Sequence, residues 1–251
     1  MSGLQASRLA GFRDVLLCAL FLVTPVTVVA QDVDHGGHAV HDRAINFQVL
    51  FDQLEWQFVH GEPGYRWDSR SWVGGDIHRL WVRTEGDAID GVVDVAEAQL
   101  LYGRSIARWW DAVAGVRFDA RPSPSHTWLA IGVQGKAPQF IDVQATIFVG
   151  SSAHVAARIE VEHDMHVTQR VVFQPLVELS LSGLDDADRG IGAGLTTAEV
   201  GFRFRYELKR ELAPYVGMVW HQKLFGTGDF ARARSSDPGG WHVVAGLRFW
   251  M

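Results

Sequence analysis

Sulfur is scarce in this chain of 251 residues, which carries one cysteine and four methionines. The cysteine, Cys18, lies within the first thirty residues. Past that point no disulfide can hold a fold together. Long apolar runs are missing as well. After residue 30 no stretch of 18 apolar residues occurs, which excludes a helical membrane protein. Positive charge is in deficit, with 23 basic against 29 acidic residues and a net charge of −6. Such a surface repels a phosphate backbone, so nucleic acid is not an expected partner. The chain has no P-loop and no G-x-S-x-G nucleophile elbow.

The first thirty residues read as a secretory signal peptide. Arg8 and Arg13 precede the apolar stretch Val15 to Val23, and Val28 and Ala30 occupy the small-residue positions of a cleavage site. An N-terminal anchor helix is the alternative, but the apolar run is short for one, since a span needs about 20 residues. Without Arg8, Arg13 and Asp14, 21 basic and 28 acidic residues remain. The expected mature chain is therefore exported, acidic and free of cysteine.

What is present is alternation. In Val155–Asp164 the residues Val155, Ala157, Ile159, Val161 and His163 share one face, while Arg158, Glu160, Glu162 and Asp164 share the other. In Ala198–Glu207, Val200, Phe202, Phe204 and Tyr206 oppose Glu199, Arg203, Arg205 and Glu207. Val171, Phe173, Val177 and Leu179 oppose Gln174, Glu178 and Ser180. Turn-forming stretches such as 85–91, 120–125, 150–153, 183–194 and 227–240 separate the segments. Helical periodicity is weak past residue 31. The chain reads as all-β and antiparallel.

Alternation alone fits a soluble sandwich as well as a membrane barrel, because both have one apolar face. Three features favour the barrel. The segments run ten to fourteen residues, as a tilted bilayer crossing needs, whereas sandwich strands are about five or six. Opposite charges alternate along the polar faces, as with Arg203 and Glu199 or Arg158 and Glu160, which suits a shared interior. Tryptophans 72, 109, 110, 128, 220, 241 and 250 cluster near strand ends, where a membrane girdle sits. The last residues, Gly240 to Met251, then make sense as a closing strand: Val243, Ala245, Leu247, Phe249 and Met251 face lipid, and Arg248 faces the lumen. Working back from Met251 gives ten strands, and 45–72 supplies two more. Twelve strands are expected, with ten as the alternative, since an even number returns both ends to the periplasm.

Several stretches together resemble the copper resistance protein B family of outer-membrane barrels. They are Asp52-Gln53-Leu54-Glu55-Trp56; Trp72-Val73-Gly74-Gly75-Asp76 with Arg79-Leu80-Trp81 and Thr84-Glu85-Gly86; Thr168-Gln169-Arg170 with Gln174-Pro175; Arg189-Gly190-Ile191-Gly192; Ala213-Pro214-Tyr215-Val216-Gly217; and Gly246-Leu247-Arg248-Phe249-Trp250. The ordered set spans roughly residues 44 to 251. The resemblance implies a role in copper tolerance by binding copper ions or passing them across the membrane, with outer-membrane lipid around the barrel and periplasmic copper-binding proteins as partners. Members of the family carry a long Met- and His-rich segment before the barrel; here it shrinks to residues 32–42, without methionine. Thioether ligands suit Cu(I), imidazole and carboxylate suit Cu(II), so Cu(II) is the expected ion and Cu(I) is disfavoured. Zn(II) is compatible with the same donors.

The expected organisation is a signal peptide at 1–30, a flexible His/Asp arm at 31–43 and a barrel at 44–251. His35, His38 and His41, with Asp34 and its neighbours Asp32 and Asp42, are candidate metal ligands in the arm. In the lumen the charged row Glu97, Arg158, Glu160, Glu162, Glu178, Glu199, Arg203, Arg205, His221, Lys223 and Arg248 is either a conduit or a structural plug. Glu160, Glu162 and His221 are its candidate metal contacts. His163 and His166 fall at a strand end. Ser180 and Ser182 lack the surroundings of a hydrolase nucleophile, so no enzyme is expected. A general diffusion or structural barrel without a metal role is the alternative, and a soluble periplasmic barrel a further one.

Overall fold

The computed structural model describes residues 45–251 except 60–61 and 152–153. The signal peptide and arm lie outside the described residues. The rest forms twelve long strands: β1 Asn46–Val59, β2 Glu62–Gly74, β3 His78–Ile89, β4 Val92–Ala107, β5 Trp110–Arg121, β6 His126–Ala137, β7 Ile141–Gly150, β8 Val155–Glu162, β9 Val171–Ser182, β10 Gly194–Tyr206, β11 Leu212–Lys223 and β12 Gly239–Trp250. Each strand pairs antiparallel with the next, and β1 also pairs with β12, so the sheet closes on itself. Closure leaves no open edge, which is the condition for a sheet to lie in hydrocarbon. Twelve strands are observed, as expected. Met165–His166 adds a two-residue ladder beside Val172 and Phe173.

The seam is tight at the chain's last residue. Met251 donates its backbone N–H to Val49 and accepts one back, both at 2.9 Å. Phe249 stacks on Phe51 across the seam with ring centres 4.6 Å apart.

The hairpins sort the two ends. At the end bearing Asn46 and Trp250 the connections are turns such as 75–77, 108–109, 138–140 and 207–211. At the other, the loop end, lie the longer segments 183–193 and 224–238, the latter containing helix α1, Phe225–Ala233. Outer-membrane barrels place short turns in the periplasm and long loops outside. At the loop end Asp90 (φ 48°) and Gly91 (φ 75°) form the two-residue turn between β3 and β4. Positive φ at both central residues matches the strand twist, and an Asp-Gly pair meets that demand at low strain.

Burial is inverted relative to a soluble fold. The largest fully buried side chains include Arg203 and Arg205, while Leu129 and Ile131 on β6 are 61% and 63% exposed. The same row continues on neighbouring strands through Val116, Ile147, Val149 and Ile159. An apolar belt of this extent belongs against acyl chains.

Two expectations need correction. Trp128 is buried inside the barrel, where its Nε1 donates to Asp119 at 2.9 Å. Trp72 also turns inward, donating to Gln48 and stacking beneath the Arg79 guanidinium. Trp109 and Trp241 remain on the outside as a girdle requires. The lumen is also not polar throughout: Leu101, Val113, Ala130, Phe148 and Trp128 form a buried apolar cluster on the β4–β7 wall.

Candidate functional site

Inward-facing positions of a strand recur every second residue, so each strand contributes a column of side chains to the lumen. One irregularity shifts a column. Phe51 pairs with Ser69 and Gln53 with Asp68, leaving Asp52 as the extra residue of a bulge in β1. The bulge lets Asp52, Gln53, Glu55 and Gln57 all become buried. Period-two reading cannot find this set, because the bulge breaks the period.

Halfway down, the lumen is spanned. Arg70 of β2 reaches Asp52 of β1 at 2.5 Å, and Glu160 and Glu162 of β8 at 3.4 Å each. β2 and β8 stand on opposite sides of the ring, so one guanidinium bridges the full width. Toward the terminus end, Arg203 pairs with Glu55 at 2.5 Å, Arg248 with Asp52 at 2.6 Å, and Arg205 with Asp164 at 2.6 Å. The charges that alternate along a strand meet partners on other strands, as the shared interior implies: Arg203 takes Glu55, and Arg158 takes Glu97, Glu85 and Glu178. Residues two apart on a strand lie about 6.6 Å from each other, and arginine side chains reach further across the lumen.

Toward the loop end the barrel opens into a cavity of about 450 Å³. Its floor is a branched ion-pair network. Arg158 bonds Glu97 at 2.9 Å and Glu85 at 2.8 Å, and its Nε lies 3.3 Å from Glu178 as an ion pair. Arg66 joins Glu85 to Glu199. Arg117 joins Glu97 at 2.8 Å to Asp119 at 2.6 Å. Charges taken from water to this depth need partners, and bidentate guanidinium groups supply them. His221, register partner of Glu199, and His242 on the next strand line the same wall. A smaller void of about 40 Å³ lies below, between Arg70, Arg83, Glu97, Arg158 and Glu160.

The roof comes from the loops. Arg189, buried, bonds Asp119 at 2.7 Å. Arg234 donates to the carbonyls of Ala187 and Asp188, and the Gly192 N–H donates to Thr227 of α1 at 2.9 Å. By its composition 183–194 is a plain turn; only a single arginine among its acidic residues hints at the inward anchor.

Of the candidates expected in the lumen, Glu160 and Glu162 share Arg70, whereas His221 belongs to the chamber wall beside Glu199. Among the described residues no group of three or more His, Cys, Asp or Glu side chains is placed to hold a metal ion. His35, His38, His41 and Asp34 lie outside the described residues. His163 and His166 sit at the terminus end, His166 exposed. Ser180 donates to Glu178 at 3.4 Å and Ser182 to the Leu184 carbonyl at 2.8 Å.

The closed sheet, apolar exterior and ionic interior define an outer-membrane β-barrel. Its relatives place it more narrowly. The family described as "Copper resistance protein B precursor (CopB)" matches residues 45–251. A "Copper resistance protein B homolog" of Pseudomonas syringae pv. tomato is 42% identical over 228 residues, 91% of this chain and 78% of that protein. A "Copper resistance protein B" of Escherichia coli is 42% identical over 231 residues, with the same coverage of 91% and 78%. The chain belongs to the copper resistance protein B family. Among solved structures, a NanC porin superposes with a TM-score of 0.52 at 11% identity, covering 81% of this chain and 99% of that one, a likeness of fold.

Proposed function

We propose that this barrel serves copper resistance by binding copper ions and moving them through the outer membrane, without catalysing a reaction. Family membership carries the reading. The donors inside support an ion of Cu(II) type. The loop-end chamber is walled by Glu85, Glu97, Glu178, Glu199, His221 and His242, oxygen and nitrogen donors that suit Cu(II). Thioethers lie elsewhere: Met165, Met218 and Met251 are exposed on the outside. The arm histidines His35, His38 and His41, with Asp34, are the donors that collect or deliver the ion at the periplasmic side, where periplasmic copper-binding proteins are its exchange partners.

The mid-lumen arginine bridge favours gated passage over free diffusion. The test is a deletion strain grown in graded copper and complemented with the wild-type gene or with His35, His38 and His41 replaced by alanine. Restored tolerance with the first and partial loss with the second are expected. Equal growth of the deletion strain and its parent in high copper would overturn the reading. A steady, metal-independent pore in planar bilayers would assign the barrel to general diffusion instead.

A further inference from the structure

We propose that His126 and His154 form a two-imidazole site for a divalent transition-metal ion on the loop-end rim of the lumen. The choice of copper as its ion rests on the function proposed above; the site itself rests on geometry.

His126 opens β6 two residues before the inward Trp128, so it faces the lumen. Gly150 closes β7 opposite Trp128. The chain then turns, with the His154 N–H bonded to the Ser151 carbonyl and the Gly150 N–H to the His154 carbonyl. This turn brings the His154 ring back over the start of β6. The two ring centres stand 6.1 Å apart at 67°. Two imidazole nitrogens each about 2.0 Å from one ion put their ring centres roughly 5–6 Å apart.

Each ring offers a nitrogen. His154 Nδ1 lies 3.2 Å from the Ser151 carbonyl oxygen. That oxygen only accepts, so Nδ1 carries the proton and Nε2 carries the lone pair. A main-chain carbonyl fixing the far nitrogen is how metal-binding histidines are commonly oriented. His126 Nε2 is buried and has no hydrogen-bond partner. A buried ring nitrogen left unpaired is unfavourable, and a metal ion supplies the missing partner. No side chain blocks that nitrogen from the β7 side, because residue 150 is glycine: a Cβ there would stand 2.5 Å from it.

The rim carries charge of both signs. Arg189 acts on the His126 ring, opposed by Asp119, its register partner, and by Asp186 of the neighbouring loop, and Asp119 holds Arg189 in an ion pair at 2.7 Å. Two protein ligands leave the remaining positions to water, so the site is open and exchangeable. It stands at the loop ends of β6 and β7, beside Trp128 and Asp119 of the chamber lining.

The test uses the full-length mature barrel, refolded in detergent, with His35, His38 and His41 replaced by alanine so that the arm contributes nothing. Cu(II) is added at one equivalent. Electron paramagnetic resonance is expected to show coupling to two imidazole nitrogens. His126→Ala and His154→Ala should each lose one coupling and weaken binding at least tenfold, with His163→Ala as an unchanged control. Gly150→Ala, which keeps both histidines but fills the space beside Nε2, should weaken binding too. Folding is checked for every variant by heat-modifiable gel migration. Unchanged spectra and affinity in folded His126→Ala and His154→Ala overturn the site. If these variants lose copper at the rim while the deletion strain tolerates copper as its parent does, the site stands and the resistance reading falls. If tolerance depends on the barrel but the spectra do not change, only the site falls.

Discussion

The two halves of the lumen are built from the same residue types and do different things with them. In the terminus-end half, Arg70, Arg203 and Arg248 each reach a carboxylate on another strand, Arg205 reaches Asp164 just past the end of β8, and the walls are tied together. In the loop-end half, Arg66 and Arg158 also cross the lumen, to Glu199 and to Glu85 and Glu97, but with Arg117 they converge on one floor of shared carboxylates, and an open chamber remains above it. The bulge in β1 separates the designs. It moves Asp52 inward against Arg70 and Arg248, adding an acceptor at the level where arginines cross. Charge count therefore does not decide whether a barrel is plugged; the level at which the guanidinium groups meet their carboxylates does.

The largest effect is expected in the tied half. Arg203→Ala leaves Glu55 buried and unpaired, and losing one partner of a buried pair costs about 3–5 kcal/mol. Urea unfolding in lipid vesicles should report it, and Glu55→Gln added to the variant should recover part of the loss. An equal loss from Arg158→Ala in the chamber floor, whose carboxylates are shared with Arg66 and Arg117, would erase the distinction between the halves. Next comes the outer wall: Ile131→Arg, at the middle of the lipid-facing row of β6, should cost about 2–4 kcal/mol in the same measurement. A smaller structural change with a large readout is Arg70→Ala, which removes the mid-lumen bridge. Planar-bilayer recordings in potassium chloride should show conductance rising above the wild type; no rise would place the barrier elsewhere. The mildest is Asp119→Asn, which loosens the buried Arg189 at the chamber roof. Limited proteolysis should then cut within 183–193 faster, with global unfolding little changed.

Much of the architecture is legible in the sequence because period-two alternation, long segments and turn residues all point the same way. The observed strands fall within a few residues of those segments, and the inward row from Glu97 to Arg248 lies where alternation places it. Three things are hidden. The β1 bulge makes Asp52 and Gln53 face inward together, which no fixed period allows. Pairing partners across the lumen depend on the closed ring, so Arg70 with Glu160 is invisible along the chain. Trp128 and Trp72 look like girdle residues because end position in a strand does not tell inside from outside; parity with Ala130 and Arg70 does. The rim pair His126 and His154 escapes for a related reason, since 28 positions separate them and only a turn joins them.

The series Arg189, Asp119, Arg117, Glu97, Arg158, Glu85, Arg66, Glu199 alternates in sign from roof to wall. A visiting divalent cation gains a carboxylate there only by displacing a guanidinium that already holds it. The interior therefore works like a strip of ion-exchange resin whose counter-ions are tethered to the matrix. Uptake is a swap, and its midpoint shifts with bulk salt, because dissolved ions screen each displaced arginine as it swings free.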